Sequence, residues 1–190
     1  MLSYVFWHWP QPSVANNSYE TDLIQFHETL RSNKPDGFHR SLVFLIKNAS
    51  WLGTDAVAYE EWYLLQDSAA MDRINHAAVH GSCEAPHNRV ARNAAGGVGG
   101  LYRLRIGDNR LDNAKYATWF SKPTGERYQD FDARLRPITE EYEATLWSRQ
   151  MTLGPTKEFC LHSPVAVELP AELAATTLPL KLIWLGRIDL

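Results

Sequence analysis

Hydrophobic and polar positions alternate between two periods along this chain. Tyr4 to Trp9 is a dense aromatic run closed by Pro10 and Pro12, which predicts a buried strand ended by residues that cannot donate to a ladder. After a polar loop, Tyr19, Leu23, Phe26 and Leu30 recur at helical spacing. Ser18 is the expected N-cap of that helix, with Glu20 and Asp22 in its first turn. It should stop near Asn33, before Pro35 and Gly37. Phe38 to Ile46 and Tyr59 to Gln66 are expected strands, and Asp67 or Ser68 opens a helix that turns Met71, Ile74, Ala77 and Ala78 toward a core. A short additional helix is expected near 86–95, and Leu101 to Ile106 is a fourth strand. The order is β-α-β-β-α-β with one extra helix.

The same order returns in thinner form. Tyr116-x-x-Trp119 echoes Tyr4-x-x-Trp7, and Phe131-x-x-x-Leu135 echoes Phe26-x-x-x-Leu30 on the helix that follows. Thr145 to Met151, Lys157 to Leu161, a shrunken helix around Ala171 to Ala175, and Leu180 to Arg187 complete the second unit. Pro137 should end or kink the helix that carries Phe131. The expected domains are 1–107 and 114–190. Position 120 is phenylalanine where the first unit has His8.

Tandem β-α-β-β-α-β units with an aromatic first strand resemble the ferredoxin-like dimeric α/β-barrel superfamily, which includes EthD-like and NIPSNAP-like proteins, cofactor-free monooxygenases and haem-dependent enzymes. The resemblance rests on element order and covers most of the chain. It implies an α+β fold in which two antiparallel ferredoxin-like sheets pack as an α/β barrel, and it implies no chemistry by itself.

In that architecture one face of each sheet lies under helices and the other looks into the barrel. If the more uniformly apolar face goes under the helices, Val5, Trp7, Trp9, Trp62, Leu64, Tyr102, Leu104, Ile106, Leu180, Leu182 and Trp184 belong there. Tyr4, Phe6, His8, Glu61, Tyr63, Leu65, Arg103, Arg105, Lys181 and Arg187 would then face the barrel interior. A cavity with aromatic walls and ionisable groups suits a small molecule. The candidate catalytic residues are His8 as acid or base, with Glu61 or Tyr63 orienting it. Tyr4, Phe6, Arg103 and Arg105 are the candidate ligand-binding residues, the arginines holding an anionic group. The expected function is that of a barrel protein with a small-molecule pocket between its two sheets, for which the resemblance suggests an oxygenase-like enzyme acting on an aromatic or anionic compound. The alternative is a non-catalytic module that binds a ligand or dimerises through a sheet face, and a homodimer fits either reading.

Composition narrows the partners. With 45% hydrophobic and 22% charged residues, a net charge of -3 and no basic run, nucleic acid is not an expected partner. No apolar run approaches the roughly 20 residues that span a bilayer, and the N-terminus lacks a signal-peptide pattern, so the expected location is cytoplasmic with no membrane partner. Cys83 and Cys160 are expected as reduced thiols. His76, His80, Cys83 and His87 lie within twelve residues, but the cluster lacks a CxxC or HExxH pattern and His76 and His80 read as solvated residues on the polar side of a helix, so neither a metal nor a cofactor is expected. Gly96-Gly97-Val98-Gly99-Gly100 precedes a strand, whereas phosphate loops lead into helices. It reads as a helix C-cap and flexible connection. His27, beside the helix stripe, reads as a packed, hydrogen-bonded histidine.

Overall fold

The structure is a computed structural model that describes residues 1–53, 57–151 and 153–186. The first half runs β1 (Leu2–Pro10), α1 (Asn16–Ser32), β2 (Phe38–Ile46), β3 (Ala58–Leu65), α2 (Ala69–Ala78), α3 (Glu84–Asn93) and β4 (Ala94–Ile106). The second runs β5 (Tyr116–Phe120), α4 (Tyr128–Glu141), β6 (Thr145–Arg149), β7 (Phe159–Ser163), β8 (Thr176–Pro179) and β9 (Lys181–Leu185), with a single 3-10 turn, Ala171–Leu173, before β8. None of the described helices is long and apolar enough to cross a membrane.

All the strand pairings are antiparallel, in the order β8-β5-β7-β6-β4-β1-β3-β2-β9. Within each half the spatial order is fourth, first, third, second. β4 serves both halves: its start pairs with β1 and its end with β6. The last segment does the same, since β8 pairs with β5 while β9, one residue on, pairs with β2. The two outermost strands of the order are therefore consecutive in the chain, and the sheet curls into a nearly closed barrel.

The barrel interior is filled. Val5, Trp7, Trp62, Leu64 and Tyr102 meet Ala117, Trp119, Trp147, Cys160 and Leu178 from the other half. Trp7 and Trp119 lie edge to face at 5.6 Å, and Trp62 and Trp147 are tilted against each other at 5.1 Å. This reverses the face assignment read from the sequence for β1, β3 and the start of β4, whereas Ile106 and Trp184 do lie under helices, against α4 and α1. Tyr4, Phe6, His8, Glu61, Tyr63 and Leu65 lie under the helices, packed with Phe26, Leu30 and Ile74 or lining the space beneath α1 and α3. The space between the sheets, expected to hold the pocket, is occupied by tryptophan. The physical reason is volume. The barrel is walled by sheet on all sides and needs the bulkiest apolar side chains to reach native packing density, whereas a helix-covered face can be closed by the helices themselves.

Two local expectations also change, at the start of α1 and at the glycine run, and Pro137 does not end its helix. Helix α1 starts at Asn16 after Ala15, without a side-chain cap, so Ser18 lies inside its first turn. Pro137 sits within α4, which continues to Glu141; Ala133, whose carbonyl loses its amide partner, is on the exposed side of the helix, where water can take that bond. The glycine run is part of β4, not a helix cap, because the rings of β1 lean over it. A Cβ at Gly96 would come within 2.5 Å of Trp9 Cζ2, and one at Gly99 within 2.6 Å of the Tyr4 hydroxyl. The Phe6 ring covers Gly97 in the same way. Glycine is required there by close approach.

Candidate functional site

Strand alternation places His8 on the helix-facing side of β1, and Glu61 and Tyr63 on the same side of β3, where Phe6 is paired with Glu61 and His8 with Tyr59. Above them α1 supplies Tyr19, Phe26 and His27, and α3 supplies His87 and Val90. Between sheet and helices is a cavity of about 350 Å³ lined by these residues with Phe6 and the Gly96–Gly97 backbone, His27 excepted. Neither lysine nor arginine is among the residues that line it.

The polar groups form one connected chain. A carboxylate only accepts, so His8 Nε2–H donates to Glu61 Oε1 (2.9 Å), and in the neutral ring Nδ1 accepts from the Tyr19 hydroxyl (2.6 Å). The Tyr63 hydroxyl donates to Glu61 Oε2. On the far side of Glu61 lies His27, fully buried, with Nδ1 2.8 Å from Ser41 Oγ. Its Nε2 is 3.4 Å from Glu61 Oε1 but lacks hydrogen-bond alignment. His8 and Glu61 are 1% and 3% exposed, so this network is held out of bulk water while it borders the cavity.

Burial alone would raise the Glu61 carboxyl, but the adjacent His8 and His27 rings overcome it and hold the group well below the usual carboxylate range. The hydroxyls move the other way. Tyr63 is pushed far above an ordinary phenol, first by burial and then by the Glu61 charge, and Tyr19 is raised by the same two causes. The site thus pairs an ionised carboxylate with protonated tyrosines around an imidazole. Such an arrangement can accept a proton at His8 Nδ1 and balance the resulting charge with Glu61.

Of the residues singled out from sequence, His8, Glu61, Tyr63 and Phe6 come together here. Tyr4 is one ring back, stacked on Phe6 at 6.2 Å and tilted on Tyr63 at 6.0 Å. The arginines do not join them. Arg103 pairs with Leu2 while His8 pairs with Gly97, which puts them about 20 Å apart along the strand at ~3.3 Å per residue. Arg103 is exposed and donates to Gln150. Arg105 reaches Asp132 of α4 and lies over the Tyr128 ring. Arg187 lies outside the described residues. Tyr19 and Ser41 were not singled out as site residues, and His27, read as packed and hydrogen-bonded, is so and also borders Glu61. In the histidine cluster, His76 and His80 stack at 4.0 Å, Cys83 is buried, and His87 turns toward Phe26 at the cavity. Among the described residues, no three His, Cys, Asp or Glu side chains are arranged to hold a metal ion.

No family model matches the sequence, and no curated protein matches it. Solved structures do resemble the fold. A provisionally named monooxygenase from Lactobacillus acidophilus aligns over 96% of this chain and 94% of its own, with a TM-score of 0.59 at 9% identity. An anthrone oxidase-like protein aligns over 100% of this chain and 96% of its own, with a TM-score of 0.54 at 8% identity. At such identities the likeness is one of fold. The strand order and these neighbours together identify a ferredoxin-like α/β-barrel fold, with both halves of the barrel supplied by one polypeptide.

Proposed function

We propose that this chain is an enzyme that takes a proton from a small, neutral, planar aromatic compound and commits it to oxidation by dioxygen. One observation carries the reading: His8 lines a cavity with aromatic walls while hydrogen-bonded to an ionised, buried Glu61. The neighbours named as a monooxygenase and an anthrone oxidase-like protein support the reaction class by analogy of fold. Because no lysine or arginine lines the cavity, a neutral ligand suits it better than the anion expected from Arg103 and Arg105.

In this reading Phe6, Phe26 and Tyr63 sandwich the substrate. Its acidic proton passes to the Tyr19 oxygen as the Tyr19 proton moves to His8 Nδ1, and the imidazolium is stabilised by Glu61. The substrate carbanion gives its electrons to dioxygen with formation of a carbon–oxygen bond. The peroxide takes back the proton and loses water, so that a CH2 group and O2 become a carbonyl group and H2O. No cofactor is invoked. His8, Glu61 and Tyr63 all come from residues 1–107, and we assign residues 114–190 the task of closing the barrel, so that a second copy of the chain is not needed to complete the site. A binding-only role is the second reading, favoured by the fact that both His8 nitrogens and both Glu61 oxygens already have partners.

Anthrone is a suitable probe, with binding followed by tryptophan fluorescence and turnover by oxygen uptake. The wild type is expected to bind and oxidise it. Binding without oxygen uptake would replace the enzymatic reading by the second one, and absence of both would remove the cavity's proposed role.

A further inference from the structure

A second cavity of about 830 Å³ opens at one end of the barrel, between the β4–β5 connection, the end of α4, β7 and the β8–β9 junction. Its wall includes His162, whose side chain is only 1% exposed. Among the described residues the hydrogen-bond partner of that imidazole is the Cys160 sulfur, 3.8 and 3.9 Å from its two nitrogens, and sulfur is a weak partner. Behind it lies Glu60, fully buried, 3.8 Å from His162 Nε2 and fixed by the Trp7 and Trp62 indole N–H groups, which donate to its two oxygens at 2.7 Å each. Glu60 and Glu61 are consecutive on β3 and point to opposite faces of the sheet. Each stands behind a histidine that borders a cavity.

We propose that this barrel-end cleft is a second ligand site and that it takes a zwitterionic molecule with an apolar side chain, of the amino-acid class. The lining has three kinds of surface. Ile106, Leu180 and Leu182 give an apolar wall, of which Leu182 is 38% exposed. Lys115 and Arg136 offer cations, and Glu140 and Glu143 offer carboxylates. The other charged residues of the lining are committed, Asp108 to Arg110 and Asp112 to Arg40. A ligand with one charge of each sign finds a partner for each in this lining, and its apolar group covers Leu182. His162 at the floor, with a carboxylate behind it, offers a polar contact from within. The inference is independent of the His8 cavity, because it uses the opposite face of β3.

The test is a fluorescence titration. The Trp62 ring lies 4.6 Å from His162, so occupancy should change tryptophan emission. The probes are L-phenylalanine, 3-phenylpropionate with only the carboxylate, and 2-phenylethylamine with only the ammonium. Saturable binding of L-phenylalanine is expected, at least tenfold tighter than either single-charge analogue. Lys115→Ala combined with Arg136→Ala changes only exposed residues and should weaken it at least tenfold. His8→Phe should leave it unchanged. Absence of saturation, equal binding of the three probes, or full binding by the double variant would overturn the proposal. Loss of binding in His8→Phe would place the ligand in the other cavity and also overturn it.

Discussion

The helix-covered faces of the two halves share a strand order and differ in chemistry. In the first half His8 lies opposite Tyr59 on β3, and Glu61 and Tyr63 continue that face beneath Tyr19 and His27. In the second, Phe120 lies opposite Phe159 on β7, and Leu161 continues the face beneath Phe131 and Leu135. The second face is an ordinary apolar core, with Phe120 and Phe159 stacked at 5.7 Å. The first buries a carboxylate, two imidazoles and three phenols in the equivalent space. Burying such groups is unfavourable unless each finds a partner, and the fold tolerates the apolar solution a few strands away. The polar face is therefore not something the architecture requires. Its cover differs as well: α2 and α3 roof the first half, where the second has a single 3-10 turn.

The largest expected effect comes from removing the hub of the polar face. Glu61→Ala should destabilise the chain by about 3–5 kcal/mol in denaturant unfolding, because it leaves His8 and Tyr63 buried without their acceptor. Converting the face to the pattern of the other half, with His8→Phe, Tyr59→Phe and Glu61→Leu together, should recover most of that loss. If the triple variant is no more stable than Glu61→Ala, the two faces are not interchangeable and the comparison fails.

The reciprocal substitution should act in the same sense but more weakly. Phe120→His puts an imidazole among Phe131, Phe159 and Leu135 with no carboxylate at hand, at an expected cost of about 1–3 kcal/mol. Unchanged stability would mean that the second face can supply a partner that the structure does not show.

Acid separates the halves further. Glu61 titrates lower in the folded chain than in the unfolded one, so its contribution to stability is complete above the unfolded carboxylate value, about 4.3, and is lost as pH falls below that toward the folded value. Stability measured from pH 6 downward should decline more steeply for the wild type than for Glu61→Gln. Parallel curves would show that the carboxylate is not held in its ionised form. The smallest effect is expected at Arg103, exposed and remote from the cavity: Arg103→Ala should change stability by less than about 0.5 kcal/mol and leave anthrone binding as it was.

Much of the fold was legible because hydrophobic period reports element type directly, and the paired Tyr-x-x-Trp and Phe-x-x-x-Leu patterns gave the order of both halves. Alternation also grouped His8 with Phe6, and Glu61 with Tyr63, correctly. What it could not do was say which way each group faced, since a period of two is symmetric about the sheet. The rule that helices cover the more apolar side then failed against the tryptophan-filled barrel. Tyr19 and Ser41 were illegible for another reason. They reach the site through α1 and β2, and no local spacing encodes a helix packing over a strand that follows it. The glycines of β4 became intelligible only once Tyr4, Phe6 and Trp9 were seen to lie across them.

The most direct measurement is anthrone-dependent oxygen uptake by the wild type, His8→Phe and Phe120→Leu, each first verified as folded by circular dichroism. The first-half variant should fall by about 10²-fold or more, the usual range for loss of a general base, while the second-half variant keeps at least half of the wild-type rate. Equal rates in His8→Phe and the wild type, or equal losses in both variants, would contradict the assignment of the chemistry to the His8 face.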